Sequence, residues 1–215
     1  MLVEVGVDPK SVKYVEAGPQ WGQVAALKKA DAALSWEGLR AQWEAQGLKL
    51  RYMIGQEFSK QPANVYAARS ADLQDATKRD MYVRFFKGVV MGFEFAKANP
   101  RAAAQITYEA LPGLKEQMKP QLALVSMMQN AALYGGAAKK GDGWGYAYLD
   151  NWQSYLDIIH QLGQTQKQLK AADVVTNDLV ADANKADVAR ARKDANAFQL
   201  NADFEKTTVP SDLQL

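Results

Sequence analysis

VKYVEAGPQWGQVAALKKADAALSWEG, residues 12–38, decides the reading of the fold. Val12 to Val15 alternates apolar and polar side chains, the period of a half-buried strand. Ala17-Gly18-Pro19 breaks that pattern, and Pro19 suits the first turn of a helix continued by Val24, Ala25 and Leu27. Ala32 to Leu34 is short and apolar, consistent with a second, buried strand. The segment reads as strand, turn, helix, strand and aromatic-acidic loop. Gln20 and Trp21 follow the first strand, and Ser35, Trp36 and Glu37 follow the second. Open α/β proteins build ligand sites in such loops, beyond the carboxyl ends of parallel strands.

Downstream, Gly38 to Gln46 has helical composition, with Leu39 and Trp43 on one face and Gly47 as a stop. Leu48 to Ile54 and Ala63 to Ala68 alternate with a period near two and read as two more strands. The polar GQEFSKQP between them reads as a crossover. From residue 72 the pattern turns helical. Asp72 or Asp75 caps a long helix near residues 76–98, whose stripe is Tyr82, Phe85, Phe86, Val89, Val90 and Phe93. Asn99 and Pro100 end it and start another. Further helices are expected from Pro120 to Tyr134, from Asp150 to Leu162 and from Ala186 to Phe198. GDGWGYAYLD (141–150) is a glycine-aromatic loop, and the last fifteen or so residues read as a loosely docked tail. Four strands make a thin sheet, so part of the sheet is expected to be absent. The chain divides into an α/β segment (1–58), a crossover with helices (59–175) and a C-terminal helix with tail (176–215).

The bulk composition bounds the function. At 215 residues the chain is long enough to bury a core. It is 48% hydrophobic and 23% charged, ordinary for a globular protein. A net charge of +2, with basic and acidic residues interleaved, argues against a nucleic-acid partner. The absence of cysteine removes disulfides, thiolate metal sites and thiol nucleophiles. No run approaches the roughly 20 apolar residues that span a bilayer, and MLVEVGVDPKSV lacks the basic start and apolar run of a signal peptide.

Five segments carry a resemblance: GVDPKSVKYVEAG (6–18), ALKKADAALSWEG (26–38), SKQPANVYAARSADL (59–73), FFKGVVMGFEFAKANPRAAAQI (85–106) and WGYAYLDNWQSYLDIIHQLG (144–163). In order and spacing the chain resembles the C-terminal part of periplasmic substrate-binding proteins of ABC importers, in the branch that handles nitrate, sulfonates, taurine and thiamine-precursor pyrimidines. The resemblance implies a two-lobed, periplasmic-binding-protein-like type II α/β fold with a helix-rich C-terminal half. It also implies N-terminal truncation, because family members begin with a signal peptide and the first βαβ units of lobe one. The implied function is capture of a small organic solute by lobe closure and delivery to an inner-membrane ABC permease, without chemistry and without a cofactor. Family membership implies a periplasmic location; a chain expressed as written stays in the cytoplasm.

Each candidate ligand residue has a functional and a packing reading. Trp36 stacks on a flat or cationic ligand, or packs on Trp43 or Leu39. Glu37 accepts from amino groups, or sits in a first helical turn favoured by the macrodipole. Ser35 lies in the same loop. Gln20 and Trp21 stand at a helix start, where free N–H groups attract anions. Tyr52, Asn64 and Tyr66 lie on the crossover strands, where they line a cleft or simply pack. Trp144, Tyr146 and Tyr148 are read as capping the core, and Trp152 and Tyr155 as core. His160, the single histidine, has no clustered carboxylates to suggest a metal.

Two other functional readings are open. A eukaryotic relative of that family makes the thiamine pyrimidine with iron and a cysteine-rich motif, and this chain has no cysteine. The remaining reading is a helical interaction module, or a truncated remnant, that self-associates through an incomplete first lobe.

Overall fold

The computed structural model describes residues 2, 6–16, 29–62, 64–135 and 141–211, the side chains at positions 37 and 56 excepted. Among them the secondary structure is helical throughout, with eleven α-helices, two 3-10 turns (Pro9–Ser11 and Gly55–Glu57) and no strand. This overturns the expected α/β, two-lobed periplasmic-binding-protein architecture. None of the four expected strands forms over its described residues, and Ala63 lies outside them. The case of Leu48 to Ile54 shows why. Its side chains alternate half-buried and exposed along the whole run, as period two demands, yet no neighbouring strand completes a ladder. Alternation reports which way side chains point; a strand also needs a hydrogen-bonding partner that the local sequence does not encode. Val12, Tyr14 and Val15 are exposed, so the first expected strand has no buried face to hold a register. The helix expected after Pro19 lies outside the described residues.

The helices are α1 (Glu37–Ala45), α2 (Ser70–Gln74), α3 (Ala76–Ala98), α4 (Pro100–Ala110), α5 (Gly113–Gln117) and α6 (Pro120–Leu133), then α7 (Leu149–Gln161), α8 (Ala171–Val174), α9 (Val180–Ala183), α10 (Val188–Ala197) and α11 (Ala202–Lys206). Their ends follow local chemistry. Asp75, not Asp72, caps α3: its Oδ1 accepts from the Thr77 and Lys78 amides at 2.9 and 3.0 Å. Asn99 caps α4 by accepting from the Ala102 amide at 3.0 Å, and Pro100 takes the first position. Asp150 falls in the first turn of α7 rather than at its cap, which is Tyr148. Gly47 closes α1 with φ +78°, and the Leu48 amide reaches back to the Trp43 carbonyl at 3.0 Å.

The chain divides into two compact units built from separated segments. The first takes Ile54–Met91 and Ala137–Asp187; the second takes Leu2–Met53, Gly92–Gly136 and Val188–Leu215. The boundary falls inside α3.

In the second unit α4 and α1 both pack on α6, and α11 closes over α4 and α6. Ala102, Ala103 and Ala104 are buried on α4, and such small side chains let helices approach closely. The core centres on Ala104, Ala123, Leu124 and Phe204, with Tyr108, Met118, Met127, Met128, Leu200 and Val209 around it. Polar clamps tie the C-terminal segment down. Arg101 donates to the carbonyls of Phe204 and Thr207. Asn201 caps α11 at the Phe204 amide, while its own amide N–H donates to Gln105 Oε1 at 2.9 Å. Asn99 also donates to the Ala195 carbonyl at 2.9 Å. The segment expected to be a loose tail is therefore docked as far as Val209.

In the first unit two asparagines hold the glycine-aromatic loop. Asn177 exchanges two hydrogen bonds with the Ala147 backbone at 2.8 and 2.9 Å. Asn184 does the same with Trp144 at 2.7 and 2.9 Å. Gly143 is required there: its φ is +81°, and a Cβ would lie 2.8 Å from Asn184 Cγ. Gln153 of α7 accepts from the Ala171 amide at 2.8 Å, which seats α8.

Candidate functional site

The first unit carries an exposed aromatic cluster. Tyr66 stands edge-on to Phe85 (5.7 Å between centroids) and to Phe86 (5.1 Å), and Phe85 stands edge-on to Phe86 (5.3 Å). These are the separations at which ring quadrupoles attract. Yet Tyr66 is 62% and Phe85 53% exposed, and Val65 beside them is exposed too. Water meets a patch of ring surface that elsewhere in the molecule would be core.

Asp72 holds this patch in shape. Its carboxylate accepts from Lys78 Nζ at 2.6 Å, Tyr82 Oη at 3.1 Å and Arg69 Nε at 3.2 Å. The donors come from the segment before α2 and from the first two turns of α3. The hub thus ties the strand of chain bearing Tyr66 to the helix bearing Phe85 and Phe86. The Lys78 ammonium beside it holds the Asp72 carboxyl down at about 2, with Tyr82 and Arg69 adding to the effect against partial burial. The same contact raises the Lys78 ammonium and the Tyr82 phenol above their usual values.

The second unit holds a polar cluster of a different kind. Arg40 is buried, donates to Glu44 at 3.1 Å and lies 4.7 Å above the Tyr52 ring. Glu44 also accepts from Gln129 Nε2 at 2.8 Å, joining α1 to α6. Gln129 is 1% exposed, and its Oε1 accepts no hydrogen bond among the described residues.

The residues expected to form a ligand site are distributed as follows. Tyr66 belongs to the aromatic cluster of the first unit, and Asn64 is exposed nearby in sequence. Tyr52 belongs to the Arg40 cluster of the second unit. Trp36 is the N-cap of α1, exposed, its indole within 3.1 Å of where a Cβ on Gly38 would stand. Ser35 Oγ donates to the Trp36 carbonyl at 3.3 Å. Glu37 opens α1, as its first-turn reading anticipated. Gln20 and Trp21, and the Glu37 side chain, lie outside the described residues. With no strand ends among the described residues, the strand-end rule that selected Ser35 and Trp36 no longer applies to them.

Sequence reasoning missed the roles of Phe85 and Arg40. Phe85 belongs to the expected apolar stripe of the long helix, but the buried side of its first-unit part is formed by Val90 of that stripe and by Val83, which lies outside it. The adjacency of Phe85 and Phe86 was the available signal: neighbours on a helix stand about 100° apart and do not share one narrow face. Nothing local pairs Arg40 with Tyr52. Of the loop aromatics, Tyr146 and Tyr148 meet edge-on at 5.2 Å and Tyr146 is exposed. Trp152 and Tyr155 meet edge-on at 6.0 Å on α7. His160 Nδ1 lies 3.2 Å from the Thr165 carbonyl oxygen and 3.5 Å from the Thr165 hydroxyl.

The described residues contain no group of three or more His, Cys, Asp or Glu placed to hold a metal, and no helix among them is long and apolar enough to cross a membrane. The chain matches no protein-family model, no curated protein and no solved structure.

Proposed function

We propose that the protein is a helical interaction module, acting by binding another macromolecule rather than by chemistry. The observation that carries this reading is the exposed Tyr66–Phe85–Phe86 cluster, pinned through the Asp72 hub. Rigid aromatic side chains supply contact area at low entropic cost, which is why they anchor protein interfaces. A solvent-facing patch of this kind is maintained at a cost in solubility, and binding offsets that cost. Solute capture by lobe closure depended on a parallel sheet and its strand-end loops; the helical architecture supports contact through a surface instead.

The reading is tested by replacing Phe85 with a photo-crosslinking phenylalanine analogue and irradiating cells that express the full chain. A discrete adduct is expected from position 85 and not from a matched replacement at Lys193, which is exposed on α10. Absence of an adduct at position 85, or equal labelling at both positions, would sink the reading.

A further inference from the structure

Around a helix each residue advances about 100°. On α3, Met81, Phe85 and Gly88 therefore share one face, within about 60° of one another. Val83 and Val90, on the opposite side, are the buried residues of this part of the helix. Met81 is 47% exposed, and a Cβ built on Gly88 meets nothing within 4 Å. The outer face thus carries two half-exposed large apolar side chains followed by a glycine that leaves room for close approach. Along one rim of it run Asp80 and Arg84, both well exposed and joined by a 2.9 Å bond from Arg84 Nε to Asp80 Oδ2. Among the described residues no other bond is made by either group. Each copy of the chain therefore presents an open carboxylate oxygen and two open guanidinium nitrogens, one helical turn apart.

We infer that the partner for this face is a second copy of the chain, docked by antiparallel pairing of α3 about a two-fold axis that crosses the Met81–Phe85 face midway between those two residues. This rests on the interaction reading above and names its partner. A two-fold operation sets Met81 of one copy against the partner's Phe85, and reciprocally, as an isologous interface requires. It also brings the Asp80–Arg84 rims of both copies to the same side, running in opposite directions. Asp80 of one copy then meets the partner's Arg84 twice over, using the open atoms on both. A parallel pairing puts the two rims on opposite sides and loses this match. The apolar face supplies the affinity, and the charges select orientation and register. Tyr66, packed on Phe85, widens the contact on the other flank.

The test is sedimentation velocity on the full chain and on two charge-reversal variants, Asp80→Arg and Arg84→Asp, with circular dichroism to verify helix content. The wild type is expected to dimerise. Each variant alone places like charges across the axis twice and is expected to weaken dimerisation by roughly tenfold or more. An equimolar mixture of the two variants restores opposite charges across the interface and is expected to recover dimer. That rescue separates pairing between copies from the bond within one helix, which both variants lack. A monomeric wild type, or a mixture that associates no better than either variant, overturns the inference. A crosslinked adduct at position 85 with the mass of a different protein also overturns it while leaving the interaction reading intact; no adduct at all sinks both.

Discussion

Asp72 gathers three donors, and its carboxyl is lowered from 3.8 to about 2 by the Lys78 ammonium first of all. A carboxyl lowered in the folded state takes up its proton later than in the unfolded chain. Its contribution to stability is complete above about pH 4 and is lost as pH falls through about 2. The urea midpoint of the wild type is expected to drop over that window, and Asp72→Asn to remove that part of the slope while lowering stability at neutral pH. Gly143 yields a second prediction at this scale. Gly143→Ala introduces a Cβ at positive φ against Asn184, and about 2 kcal/mol of stability is expected to be lost in equilibrium denaturation. Adding Asn184→Ala is expected to be less than additive, because the collision disappears with the side chain. Both residues were visible in the sequence only as types: an aspartate before a helix, a glycine in a loop. Which donors converge on Asp72, and which side chain crowds Gly143, depend on segments up to 41 positions away.

At the scale of single elements the sequence was more informative. The start of α4 at Pro100, the cap at Asn99, the start of α6 at Pro120 and the stop at Gly163 were all legible, because proline, asparagine and glycine act within one turn of where they stand. Asn99→Ala removes both the cap and the bond to the Ala195 carbonyl; a loss of about 2 kcal/mol is expected, read by guanidinium denaturation. The expected strands failed for the complementary reason. Leu48 to Ile54 kept its two-residue alternation of exposure, but a strand is completed by a neighbour, and none lies beside it among the described residues. The long helix shows the same limit from another side. Its span matches 76–98 and Val90 of the expected stripe is buried, but Phe85 of that stripe is exposed and Val83, outside it, is buried in its place.

Across the whole molecule, each compact unit draws on segments far apart in the chain, and Phe204 shows the consequence. It comes from the penultimate stretch of sequence, is 1% exposed, and is enclosed with Ala104, Ala123 and Leu124. Phe204→Ala is expected to cost about 4 kcal/mol. By hydrogen exchange the loss of protection is expected in α4, α6 and α11 of the second unit, with α7 to α9 of the first unit changing less. Uniform loss across both units would contradict the division. The sequence alone determined the helical character beyond residue 72, the starts of the five longer helices there to within two residues, and the lack of thiol chemistry, but not the short helices Gly113–Gln117, Ala171–Val174, Val180–Ala183 and Ala202–Lys206. What it determined rests on interactions spanning a few residues, or on composition. Only the tertiary structure decided that the described residues at the front of the chain build no sheet, that Tyr66 meets Phe85 and Phe86, and that Met81 and Phe85 look outward. Those outcomes depend on which distant groups supply hydrogen bonds and cover, and periodicity along a chain carries no record of them.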